Sequence, residues 1–222
     1  MIFWLFMDNK LENILSKIIK YGLYAILLTP LAFWPKALFP FLTPKFILFQ
    51  ILVEIVFGAW VILKIIDFRN RGIFDFGNRL FSGKNCLLLS LILFFVISFI
   101  SALLSVDFSR SIWGIGARMT GLFAELHFLA WFLVLTSVPK FNFDIKKYLN
   151  FSFIISLIVA LTAFYQNSVW GLSVGSTIFN NPTFAAPYLI FHFFWGIYQT
   201  LSRKKWFFGL GAALLLIAIG LG

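Results

Sequence analysis

The run Phe46–Ile66, FILFQILVEIVFGAWVILKII, decides the fold. It is apolar on every side apart from Gln50, Glu54 and Lys64, so it reads as a helix and not as an alternating strand. A membrane crossing takes about 20 mainly apolar residues over about 30 Å of hydrocarbon, and this run has that length.

Six further windows read the same way: Ser16–Trp34, Cys86–Leu104, Gly121–Val138, Tyr148–Asn167, Phe184–Leu201, and Trp206 to the end. In lipid a helix satisfies its own backbone, and continuous apolar runs disfavour a barrel. The expected fold is therefore all-α: a polytopic membrane helix bundle of about seven spans, forming one membrane domain over residues 1–222. Composition points the same way. Hydrophobic residues make up 61% of the 222 and charged residues 12%, against about 45–50% and about 25% in ordinary soluble domains. Localisation in the bacterial cytoplasmic membrane, with membrane lipids as partners, is the matching expectation.

The net charge of +10 does not indicate nucleic acid, because the Lys and Arg residues are scattered between apolar runs instead of sharing one face. Cys86 stands alone and cannot form an internal disulfide. On the expected topology one side collects every Lys and Arg except Lys36, Lys45, Arg110 and Arg118, which places the amino terminus in the cytoplasm. Residues 9–20 repeat Leu11, Ile14, Leu15, Ile18 and Ile19 at helical spacing. They read equally as an interfacial helix or as an extension of the first span. The final window ends at Gly222 with no flanking anchor, so the chain reads as the amino-terminal part of a longer protein.

Arg110 and Arg118 are not needed to set topology and become the first binding candidates. They lie in SVDFSRSIWGIGARMTGL, Ser105–Leu122, where guanidinium forks can hold phosphate oxygens in pairs and glycines let backbone N–H groups approach the same anion. The competing reading pairs Arg110 with Asp107 and extends Arg118 to lipid headgroups. Asn180 and Asn181, in GSTIFNNPT, offer neutral donors and acceptors to a ligand, or cap the helix that follows. Glu54 and Gln50, four residues apart on one helix, suggest a structural polar clasp. A catalytic role is the alternative for Glu54, and Glu125, seven residues after Arg118, is a further candidate for catalytic proton transfer, or else an ion-pair partner for that arginine. His127 and His192 lack metal-ligand spacing, so no metal or other cofactor is expected, and both read as hydrogen bonders between helices.

Three segments carry a family resemblance. The run Phe39–Ile55, FPFLTPKFILFQILVEI, resembles the first outer loop and second span of the bacterial O-antigen ligase and polymerase family. Ser105–Leu133 is similar to the family through SVD, RSIWG, RMTGLF and LH, and Ser176–Ala186, STIFNNPTFAA, is similar to its Gly-Asn-Pro-Asn motif. The chain departs at Gln50, where Arg is common, at Ala117, where an acid is common, and at Asn180 and Thr183.

The resemblance implies a metal-independent membrane glycosyltransferase. Its donor would be an undecaprenyl-pyrophosphate-linked glycan, and its acceptor a lipid, glycan or protein at the outer face. Arg118 and Arg110 would contact the donor phosphates, Asn180 and Asn181 would add polar contacts, and the general base stays unassigned. The later outer loop of that family lies beyond residue 222, so this part alone is expected to be inactive. Rival expectations are a lipid-linked sugar transporter or flippase, and a non-catalytic scaffold of an envelope-assembly complex.

Overall fold

In the computed structural model the described residues are 2–37, 39–71, 86–115, 119–137, 143–170, 179 and 182–220. Among them the secondary structure is helical throughout: α1 (Ile2–Ile26), a 3₁₀ turn (Thr29–Leu31), α2 (Thr43–Arg71), α3 (Cys86–Leu103), α4 (Phe108–Trp113), α5 (Leu122–Ser137), α6 (Ile145–Trp170), α7 (Pro182–Arg203) and α8 (Trp206–Gly220). The all-α expectation holds.

The seven-span bundle does not. Two described helices are long and apolar enough to cross a membrane, Thr43–Ile66 within α2 and Ile145–Thr162 within α6. The others fall short for separate reasons. The window Ser16–Trp34 is not one helix, because α1 ends at Ile26 and Pro30 sits in the 3₁₀ turn that follows, where its missing N–H is harmless. The apolar stretches Leu89–Leu103, Leu122–Ser137 and Trp206–Gly220 each have fewer than 18 residues. The last of them, 15 residues long, rises only about 22 Å at about 1.5 Å per residue. Helix α7 is long enough but carries Pro187, His192, Gln199 and Thr200. Counting apolar windows overstated the number of spans, because a window ignores where a helix starts, stops or turns polar. With the seven spans go the multi-pass inner-membrane localisation and the membrane-lipid partners.

The chain divides into two compact units, Met1–Leu23 with Gln50–Phe141, and Tyr24–Phe49 with Asn142–Gly222. In the first, α1 buries Leu15, Ile19 and Leu23 on one face, the four-residue spacing of a helical stripe. Residues 9–20 are part of that one continuous helix. Gly22 lies against Val56 of α2 so closely that a Cβ there would fall on the valine side chain. Helix α2 buries Val53, Val56, Ala59, Leu63 and Ile66. Helix α3 exposes most of its described side chains from Leu89 to Leu103 and buries Ala102.

The second unit is built on Phe153 of α6, which is fully buried. Its ring fills a socket between two glycines. A Cβ at Gly196 of α7 would lie 2.8 Å from Phe153 Cε2, and one at Gly211 of α8 would lie 2.7 Å from Phe153 Cζ. Val159, Ala160, Leu189, Phe208 and Leu215 complete this core. The link from α7 to α8 is only Lys204 and Lys205, with Lys204 at φ 51°, so the two helices form a tight hairpin. Polar side chains tie α6 to α7: Asn150 Oδ1 accepts from Trp195 Nε1 at 3.1 Å and from Gln199 Nε2 at 2.7 Å.

Candidate functional site

The arginine segment folds into a tight corner between α4 and α5. Asp107, with extended backbone, caps α4: its Oδ1 accepts from the Arg110 backbone N–H at 2.9 Å. This is the usual work of an aspartate at a helix start. The Asp107–Arg110 ion pair of the competing reading is therefore replaced by a contact to the Arg110 backbone, and no ion pair joins the two side chains. Ser111 Oγ donates to Ser105 Oγ at 2.8 Å, which fastens the cap from behind.

Helix α4 ends at Gly114, whose N–H donates to Arg110 O at 2.8 Å and whose φ of 77° lies in the region that favours glycine. A Cβ at Gly114 would stand 2.6 Å from Gly121 N and 2.7 Å from Thr120 N. Both glycines are thus fixed by the near contact of two backbone strands. Met119 N–H donates to Ile115 O at 2.8 Å. Arg118 lies outside the described residues, as do Asn180 and Asn181. Arg110 is exposed at the tip of the corner, and its guanidinium bonds to no described residue.

Glu125 occupies the first turn of α5 and is half-buried. A carboxylate there is favoured by the partial positive charge of the helix start, which explains its position without assigning it a proton-transfer role.

Glu54 does not bond to Gln50. Its Oε1 lies 3.1 Å from Nε2 of His127 on α5, while Gln50 is buried along α2. His127 is held on its other side, with Nδ1 2.7 Å from Phe123 O. The Phe123 ring stacks edge-on against His127 at 4.5 Å, and Trp113 of α4 packs on Phe123 at 4.9 Å. A run of ring contacts therefore links the arginine corner to the Glu54–His127 pair.

In the second unit His192 of α7 repeats the arrangement with a different partner. Its Nδ1 lies 2.7 Å from Tyr188 O and its Nε2 lies 2.7 Å from Ser152 Oγ of α6. Burial holds the imidazole below its usual value, partly offset by the bond to Tyr188 O. A serine beside a histidine resembles an activated nucleophile, but both side chains are buried. The contact is an interhelical clasp. Both histidines thus bond between helices, as their isolation in the sequence suggested. Their partners lie 73 and 40 residues away, a distance over which local spacing carries no signal. Among the described residues no three His, Cys, Asp or Glu side chains gather as a metal site would require.

No family model, no curated protein and no solved structure matches the chain. The resemblance to the O-antigen ligase and polymerase family is overturned, because the multi-span bundle it implies is not what these helices form. With it go the membrane glycosyltransferase, the undecaprenyl-pyrophosphate donor, the glycan, lipid or protein acceptor, and the flippase and envelope-scaffold alternatives.

Proposed function

We propose that the chain is a helical binding protein for a phosphate-bearing anion, with the 107–121 corner as its recognition element and Arg110 and Arg118 as the gripping side chains. One observation carries the reading: Asp107, the neighbouring acid, is committed to capping α4 and leaves the exposed Arg110 guanidinium without a described partner. A guanidinium offers a planar fork suited to paired phosphate oxygens and stays charged at any working pH. The cap and the Gly114–Gly121 contact fix the backbone that presents it, so little conformational freedom is lost on binding. The net charge of +10 draws anions toward the molecule.

Calorimetric titration of the full chain with inorganic phosphate tests this reading. Arg110→Ala and Arg118→Ala are each expected to weaken binding about tenfold, the scale of one charge-assisted hydrogen bond. Affinity should also fall with added salt. Equal affinity in wild type and both variants would reject the proposal.

A further inference from the structure

His127 and His192 share one local geometry and differ in what stands opposite. In each, Nδ1 lies 2.7 Å from the carbonyl four residues earlier. A carbonyl oxygen has no proton to give, so Nδ1 is the donor in both rings. A neutral imidazole then has a bare Nε2 that can only accept. His192 meets this condition through Ser152, whose hydroxyl donates to Nε2.

His127 does not meet it. Its Nε2 faces Glu54 Oε1 at 3.1 Å, and an ionised carboxylate also only accepts. Two acceptors at that distance repel. The contact becomes a hydrogen bond only when one further proton lies between nitrogen and oxygen, either as imidazolium against carboxylate or as imidazole against carboxylic acid. The pair then has no net charge. Release of the proton to water leaves it with one negative charge and no bond.

We infer that Glu54 and His127 form a proton-binding site between α2 and α5, in which two side chains hold a single proton that ties the helices together. Access is one-sided. The His127 side chain is 9% exposed and the Glu54 side chain 61%, and Phe123 packs on the imidazole, so the proton enters and leaves past the carboxylate. The other charged side chains described on the helices around the pair are Lys10, Glu12, Lys17 and Lys20 on α1, Lys45 and Lys64 on α2, Asp107 and Arg110 at the corner, and Glu125 on α5. Helix α3 contributes none. Among the described residues, none of Lys10, Glu12, Lys17, Lys20, Asp107, Arg110 and Glu125 is hydrogen-bonded to or ion-paired with Glu54 or His127.

The test is NMR of the full chain with labelled histidine rings and glutamate carboxyls, titrated over about pH 5 to 8, where imidazoles change charge. At the acid end the expected result is a protonated His127 Nε2 or a protonated Glu54 carboxyl. As pH rises, the His127 nitrogen and the Glu54 carboxyl should shift together. In Glu54→Gln the amide can donate to a bare Nε2 or accept from a protonated one, so the bond no longer needs the shared proton and the His127 response to pH should differ from that of wild type. A bare His127 Nε2 beside an ionised Glu54 throughout the range would overturn the inference. So would a His127 titration that is the same in wild type and Glu54→Gln. If that variant does not fold, the wild-type titration decides.

Discussion

Ser152 Oγ and His192 Nε2 stand 2.7 Å apart across the contact of α6 with α7, with the serine as donor. The neutral imidazole accepts this bond, and burial, which favours that neutral form, lowers its pKa from the ordinary 6.5.

Between that lowered value and 6.5 the unfolded chain binds a proton at this position that the folded chain refuses. More protons bound to the unfolded state means that stability rises with pH. The His192 contribution is fully present above the unfolded value and is lost as pH falls toward the folded one. Thermal melts of wild type and His192→Gln should therefore converge as the medium is acidified below about pH 6.5. A gap between them that widens on acidification would contradict this sign.

Phe153 should be among the costliest side chains to truncate. Phe153→Ala leaves a cavity where three helices meet, and a loss of about 3–5 kcal/mol is expected in urea unfolding. Gly196→Ala tests the same place from the opposite direction, since its methyl would lie 2.8 Å from the Phe153 ring and 3.0 Å from the Phe208 carbonyl oxygen. Because backbone cannot yield as a flexible side chain can, that variant should also lower the urea midpoint.

At the corner, Asp107→Ala removes one capping bond and should cost about 1 kcal/mol. Gly114→Ala places a Cβ at φ 77° against Thr120 and Gly121, and should cost more, because strain and steric conflict add. Urea midpoints for the two variants check the order; an aspartate variant less stable than the glycine variant would refute it.

Much of the helical content was legible in the sequence. The apolar runs at Phe46–Ile66 and Tyr148–Asn167 fall inside α2 and α6, and continuous apolarity is a local property. Helix ends were harder to read. Pro30 marks the turn after α1, yet an averaged window passes over one residue. Asp107 shows the limit of reading charge by proximity: three residues from Arg110 it suggested an ion pair, whereas the backbone N–H offers the same carboxylate a nearer donor. Glu54 shows a second limit. Gln50 is its helical neighbour, but the partner comes from His127 on another helix, and only the fold brings those residues together.

The Phe153 socket also governs how this protein can change over generations. One ring answers to glycines on two separate helices, so positions 153, 196 and 211 cannot drift one at a time. A smaller residue at 153 would open room for methyl groups at 196 and 211, which makes substitutions harmful singly able to compensate one another. Relatives of this chain should vary at these three places in concert, trading one aromatic ring for two alanines.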